Sequence, residues 1–192
     1  MKPWLRYAIA IILGLTLGIG GAWLLTSRGL SGGQIVNVPW QTSLGYGVKA
    51  TDPLTRAAVA RGGLLALPAT ETVYWQATTD SAGRGLTGKC RYRLTGGAID
   101  ARWWSVTVYD TKGFLMPNAA RIWSVNGANV PLDAYARWAV SLSSQRPEQG
   151  GWLPTTAGKP FHLTLRVYNP GKAFMDAPTR AALPRIERED CA

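Results

Sequence analysis

The side chains most able to recognise a ligand lie in two segments that alternate apolar with polar residues. Segment 102–110 reads RWWSVTVYD, and segment 161–168 reads FHLTLRVY. If both are β-strands, alternate side chains share a face, so one face packs while the other is polar and aromatic. Aromatic rings beside guanidinium groups suit stacking on sugar rings or clamping an anion. We therefore predict a ligand-binding surface formed by Trp103, Tyr109, Tyr135, Arg137, His162, Arg166 and Tyr168, with Asp110, Asn118 and Arg121 in adjoining turns.

Two alternatives to this binding surface stay open. The same residues can cover the second face of a sheet and make only structural polar contacts. The protein can also be an enzyme, a hydrolase or lyase on envelope carbohydrate or lipid, with Asp110 or His162 as acid or base. A Ser-His-Asp triad would need His162, Ser105 and Asp110 together, and no local motif supports one.

Metal chemistry has little support in this composition. His162 is the only histidine, which excludes a histidine-rich site, and cysteines and carboxylates are also sparse. We expect no metal and no cofactor.

The net charge is +10, but the basic residues are separated by apolar ones and form no stripe that would follow a phosphate backbone. We therefore expect no nucleic-acid binding, while anionic lipid head groups or acidic glycans suit a basic domain near a membrane.

The elements that would position these side chains are mainly strands. Alternation predicts strands at 73–79, 90–94, 102–110, 135–142 and 161–168. One short helix is predicted over 54–67, with Asp52 as N-cap and Pro53 as the first helical residue. Short strands after one helix indicate a mainly β protein, a jelly-roll-like antiparallel β-sandwich.

An uncharged run at 7–25 precedes this domain, and its nineteen residues nearly match the hydrocarbon thickness of a bilayer. Lys2 and Arg6 precede it without an acidic residue, so the N-terminus is expected to stay in the cytoplasm. A cleavable signal peptide is the alternative, although Trp23 occupies the region where a peptidase requires small residues. We predict a cytoplasmic tail at 1–6, a single transmembrane helix at 7–25, a flexible tether at 26–34 and an extracytoplasmic β domain at 35–192.

Two further pairings follow from this topology. Cys90 and Cys191 are the only cysteines, and an oxidising compartment favours one disulfide between them over two free thiols.

Small residues recur every four positions along the membrane helix and can let a second helix approach, giving a homodimer. The alternative is that glycine is simply common in membrane helices. The helix-packing face comprises Ala10, Gly14, Gly18 and Ala22.

Three ordered motifs resemble the domain-of-unknown-function family 1214. They are RWWSVTVYDTKGFLMPN at 102–118, WLPTTAGKPFHLTLRVYNP at 152–170 and LPRIERE at 183–189, and the resemblance covers about 70–189. It implies a jelly-roll β-sandwich, often joined to a companion domain of another unknown-function family, numbered 1254, and it supplies no catalytic residues. Here a membrane helix stands in the companion's place.

The resemblance and the topology together suggest a bacterial inner-membrane protein with a periplasmic domain. We expect this domain to bind an envelope component or a partner protein. A further alternative is a structural subunit of a complex with a separate polypeptide that carries the companion domain.

Overall fold

The computed structural model describes residues 2–27, 34–45, 53–61 and 67–191, which form a helix followed by a β-sandwich. The mainly β fold predicted from the sequence is confirmed. The helices are α1 (Pro3–Ser27), α2 (Pro53–Arg61) and α3 (Lys172–Asp176). The strands are β1 (Ile35–Asn37), β2 (Trp40–Thr42), β3 (Thr72–Ala77), β4 (Cys90–Gly96), β5 (Ala101–Asp110), β6 (Ser124–Asn126), β7 (Trp138–Ser143), β8 (Gly151–Pro154), β9 (Phe161–Pro170) and β10 (Arg185–Cys191).

Helix α1 is long and apolar enough to cross a membrane, by length and composition, and a signal sequence meets the same criteria. It begins at Pro3, four residues before the predicted span, because Pro is favoured in the first turn and nothing nearby interrupts the helix. A Cβ atom added at Gly14 or Gly18 would meet no described atom within 4 Å, so no described residue of the chain covers this part of the small-residue face. Of the predicted tether, 28–33 lie outside the described residues.

The short predicted helix begins where the sequence indicates, at Pro53, and α2 ends at Arg61. Asp52 and 62–66 lie outside the described residues, so the predicted N-cap and the predicted end at 67 are not tested. The structure adds α3 and a single 3-10 turn at Pro178–Arg180, which were not predicted. Both follow β9, where the segment 171–181 is too short to show a helical period.

The first sheet has six strands in the order β1-β2-β3-β9-β5-β6, and all its pairs are antiparallel. Its centre is the pair β5 and β9, which align from Ala101 opposite Pro170 to Asp110 opposite Phe161. The predicted apolar faces of both strands point into the core. The buried residues are Trp104, Val106 and Val108 on β5 and Phe161, Leu163, Leu165 and Val167 on β9.

The second sheet has four strands in the order β10-β4-β7-β8. The β10–β4 and β4–β7 pairs are antiparallel, as in the predicted antiparallel sandwich, whereas the β7–β8 pair is parallel. Strand β7 also begins at Trp138 rather than at 135. The reason is local: Ala136 has a positive φ of 56°, and a hydrogen-bonded turn built on Asp133 occupies the preceding residues.

Large aromatic side chains fill the space between the two sheets. Trp104 of the first sheet stacks on Trp138 of the second, with ring centroids 4.9 Å apart. Tyr92 meets Phe161 edge-on at 5.9 Å. Burying a large apolar side chain stabilises the folded state by about 1.5–3 kcal/mol. These contacts therefore contribute strongly to the packing of the two sheets against each other. Gly96, paired with Trp138 in register, makes room for the stack, because a Cβ there would lie 2.5 Å from the indole ring.

Strand β10 is fastened to the rest of the sandwich by covalent and ionic contacts. The predicted disulfide between Cys90 and Cys191 is present and joins residues 101 positions apart. Asp80, whose side chain is 1% exposed, accepts hydrogen bonds from Ala82 and Arg84, and Arg188 Nε lies 3.2 Å from its Oδ2. Burial raises the pKa of Asp80, but the hydrogen bonds from Arg84 and Ala82 outweigh it and hold the pKa below its usual value.

Candidate functional site

The outer face of the first sheet collects half of the predicted binding residues. Trp103 lies opposite Tyr168 and Tyr109 opposite His162, because these pairs are in register on β5 and β9. Trp103 and Tyr168 make an edge-to-face contact at 5.3 Å, and Tyr109 and His162 stack at 5.6 Å. The two ring pairs stand at opposite ends of the face. We call this surface the aromatic face, and it comprises Trp103, Tyr109, His162, Arg166 and Tyr168.

Arg166 lies between the two ring pairs and is held in place by neutral partners. Its Nη1 donates to Thr107 Oγ1 at 3.2 Å and its Nη2 donates to the Tyr109 hydroxyl at 2.7 Å. The guanidinium carbon also lies 5.5 Å from the Tyr109 ring centroid. Within the described part of the chain, Arg166 forms no ion pair with a carboxylate. A guanidinium has five N–H donors, so this half-buried cation keeps charge and donors available for an anion.

The surroundings of His162 favour its neutral form over its charged form. Burial lowers its pKa below the usual value, and the neighbouring Asp110 opposes this only in part. Ser105 lies four residues before Tyr109, the partner of His162, which places it about 13 Å along the strand at 3.3 Å per residue. The triad of Ser105, His162 and Asp110 considered from the sequence is therefore not assembled.

Asp110, Asn118 and Arg121 shape the loop between β5 and β6. Asp110 Oδ1 accepts hydrogen bonds from the backbone N–H groups of Lys112 and Phe114. The Asn118 side chain bonds backbone groups of Met116 and Ile122. Arg121 is exposed and has a positive φ of 55°. The side chains of Asp110 and Asn118 are engaged in loop geometry, and the structure does not add these three residues to the aromatic face.

Tyr135 and Arg137 lie in a different place, on the loop before β7, beside the second sheet. Tyr135 is 79% exposed, and the Arg137 guanidinium lies 5.2 Å from its ring centroid. Arg137 Nε also pairs with Asp133 at 3.1 Å. The pKa of Asp133 is lowered, mainly by the hydrogen bond that its carboxylate accepts from the backbone N–H of Arg137. Desolvation raises this pKa, but the backbone N–H of Tyr135 and the Arg137 guanidinium lower it further. The structure does not bring these two residues together with the aromatic face, because β7 belongs to the second sheet whereas β5 and β9 belong to the first.

Sequence reasoning missed a groove on the outside of the second sheet. It encloses about 810 Å³ and is lined by Arg93, Arg137 and Arg185 together with Asp133 and Trp138. A second, apolar groove of about 380 Å³ adjoins it and shares Gly97, Leu132 and Trp138. The lining residues come from segments far apart in the chain. No spacing motif could therefore have indicated these grooves.

Comparison with known proteins agrees with this architecture. The model of a family described as "Protein of unknown function (DUF1214)" matches residues 71–172. The crystal structure of the VPA0106 protein from Vibrio parahaemolyticus is similar over 99% of this chain and 46% of its own, with a TM-score of 0.64 and 19% identity. An uncharacterized protein from Burkholderia cenocepacia is 21% identical over 64% of this chain and 30% of its own, with a TM-score of 0.43. No curated protein matches the sequence. The chain thus spans less than half the length of either structure.

Proposed function

Since the chain belongs to the DUF1214 family of proteins of unknown function, we propose that it is a membrane-anchored module that binds an acidic, sugar-bearing component of the bacterial envelope. The aromatic face is the proposed binding surface. This face fits a non-catalytic binding role better than it fits a hydrolase or lyase reaction. Ser105 and His162 are far apart, and the Asp110 carboxylate is engaged in a turn.

The observation that carries the proposal is the state of Arg166. A half-buried guanidinium loses part of its hydration, and pairing with a carboxylate or phosphate usually compensates for the lost hydration free energy. Here Thr107 and Tyr109 fix its position with hydroxyl groups that leave the charge uncompensated. The ring pairs on either side offer apolar planes for sugar stacking. An acidic sugar chain supplies both kinds of contact.

Anchoring and location are part of the same proposal. Helix α1 supplies a span of suitable length, and Lys2 and Arg6 favour a cytoplasmic N-terminus in a bacterial inner membrane. The Cys90–Cys191 disulfide supports a periplasmic location for the β domain, because disulfides persist in oxidising compartments. Pairing of two chains through Ala10, Gly14, Gly18 and Ala22 stays a prediction.

The test uses the full chain in nanodiscs of phosphatidylcholine and two sugar probes of equal length. Oligogalacturonate carries a carboxylate on every ring, and malto-oligosaccharide carries none. We expect the acidic probe to bind more tightly in isothermal titration calorimetry. Arg166→Gln should weaken its binding at least tenfold, because the substitution removes the fixed cation, and Trp103→Ala should weaken it several-fold through lost stacking.

Arg146→Gln is the matched control, because it removes one positive charge from an exposed residue of the other sheet region. Its binding should equal that of the unaltered chain. Equal weakening by Arg146→Gln and Arg166→Gln would mean that binding depends on the overall charge of the protein and not on Arg166 in particular. Absence of binding to both probes would exclude the sugar ligand.

A second candidate is a structural subunit that pairs with a polypeptide carrying the companion domain, and the greater length of the similar Vibrio chain favours it. Cross-linking of the full-length chain in native membranes, read by mass spectrometry, tests this candidate. A stoichiometric partner that is retained by Arg166→Gln would support the subunit. Loss of that partner in the variant would instead assign a protein ligand to the aromatic face.

A further inference from the structure

The two adjoining grooves at one end of the second sheet have opposite chemistry. One is lined by three arginines, Arg93, Arg137 and Arg185, against a single carboxylate, Asp133. The other is mostly apolar, with Arg102 as its one charged residue. Leu132 and Trp138 line both, so the polar and apolar parts form one continuous surface. Both volumes lie within the usual range for small-molecule sites.

The arginines converge because of strand register. Arg93 on β4 and Arg185 on β10 point to the same outer face, since Arg185 pairs with Thr95, two residues from Arg93. Such diagonal neighbours lie within reach of one ligand when their side chains are long. Arg137 reaches the groove from the loop before β7. Its position is fixed by the turn on Asp133.

The carboxylates nearby only partly neutralise these charges. Glu189 lies 3.0 Å from Arg91 Nε but 4.0 Å from Arg93 Nη1, so its stronger pairing is outside the groove. Arg185 pairs with Glu187 at 3.3 Å, and both side chains are more than half exposed. Exposed ion pairs of this kind are easily exchanged for another anion. The groove therefore retains positive charge that a phosphate could engage.

The apolar groove begins where the charged one ends. Its floor is the stacked pair Trp104 and Trp138, and its rim carries Leu132, which is 60% exposed, and Trp103, which is 41% exposed. Leu132 and Trp103 thus add exposed apolar surface at the edge of this groove. The Trp138 indole N–H is already bonded to the Gly97 carbonyl. This part of the floor thus presents carbon rather than a polar group.

We propose that these joined grooves bind one acidic phospholipid molecule, with its phosphate on Arg93, Arg137 and Arg185 and an acyl chain on Trp104, Leu132 and Trp138. An anion followed directly by a hydrocarbon chain is the chemistry that matches a cationic groove leading into an apolar one. A sugar chain matches only the first groove. The site spans the end of the second sheet and strand β5 of the first sheet. It shares only Trp103 with the aromatic face, and Arg166 lies outside both grooves, so it goes beyond the function proposed above.

The test uses the full chain held in an amphipathic polymer and short-chain lipids below their micelle concentration. Dihexanoyl-phosphatidylglycerol is compared with dihexanoyl-phosphatidylcholine, which has the same chains and no net charge, and with glycerol 3-phosphate, which has no chains. We expect the phosphatidylglycerol to bind most tightly in equilibrium dialysis. Arg93→Gln/Arg185→Gln should weaken that binding at least tenfold, and Leu132→Ser should weaken it without changing glycerol 3-phosphate binding.

Lys89→Gln/Arg146→Gln is the matched control, because it also removes two positive charges near the second sheet but outside both grooves. Unchanged lipid binding by this control supports the site. The proposal is overturned if both double variants lose affinity equally, which would indicate overall charge. It is also overturned if glycerol 3-phosphate binds as tightly as the phosphatidylglycerol, or if the charged and neutral lipids bind alike. The aromatic-face variant Arg166→Gln should keep its lipid affinity.

Discussion

At the residue scale, His162 links the aromatic face to the stability of the fold. It is the only histidine in the chain, and it is half-buried against Tyr109. Burial lowers its pKa, so the folded state resists protonation at a pH where an unfolded chain accepts it. In the unfolded chain the ordinary pKa is about 6.5. Any contribution of histidine to the pH dependence of the free energy of unfolding therefore comes from this one side chain.

We predict that the free energy of unfolding falls as the pH is lowered from about 7.5 to 5.5. Over this window the unfolded state binds more protons than the folded state, so stability rises with pH, by less than about 1.4 kcal/mol per pH unit. His162→Gln should remove this slope while keeping a polar side chain at the position. Urea denaturation of both chains at the two pH values, followed by tryptophan fluorescence, measures it. An identical slope in the variant would contradict the prediction.

At the element scale, the sequence could predict long strands and could not predict short or edge ones. β5 and β9 each have ten residues, so their alternation is unambiguous and their inner and outer faces are as predicted. β1, β2 and β6 have only three residues each, which is too few to show a period. β10 carries charged residues at five of its seven positions, so it lacks an apolar stripe and is held by its partner β4 instead.

The candidate site divides in the same way. Trp103, Tyr109, His162, Arg166 and Tyr168 were predictable because one register between two long strands brings them together. Tyr135 and Arg137 do not join them, because β7 pairs with β4 and β8 in the second sheet, and alternation does not show to which sheet a strand belongs. The arginine groove depends on pairing between β4 and β10, which are about ninety residues apart, and alternation carries no information about such pairing.

The disulfide at the end of β10 gives a prediction for this element. Cys90→Ala/Cys191→Ala should lower the free energy of unfolding by about 4 kcal/mol, because the unfolded chain would no longer be constrained by a loop of about one hundred residues. Urea denaturation of the full chain in detergent measures the change. Reduced and alkylated unaltered protein is the control, and it should match the variant. A midpoint equal to that of the oxidised protein would show that the pairing of β10 with β4 suffices.

At the scale of the whole molecule, the charges that precede the apolar run and the disulfide both bear on one part of the proposed function, the side of a membrane on which the sandwich would fold. Lys2 and Arg6 precede the apolar run, and Arg28 follows it. Positive charge is retained in the cytoplasm. Because cytosolic thiols stay reduced, the redox state of Cys90 and Cys191 in living cells is a direct readout of orientation.

We predict that Lys2→Glu/Arg6→Glu leaves a substantial fraction of the molecules with reduced cysteines, because Arg28 then carries the only positive charge near the helix and the preferred orientation inverts. Bacteria are precipitated with trichloroacetic acid, which fixes the thiol state. The denatured protein is then treated with a maleimide polymer, with and without prior reduction, and the mobility of the chain is read on a gel. Lys2→Arg/Arg6→Lys keeps both charges and should remain fully oxidised. Full oxidation of the charge-reversed chain would mean that these two charges do not set the orientation, whereas reduced cysteines in the unaltered chain would exclude a periplasmic sandwich.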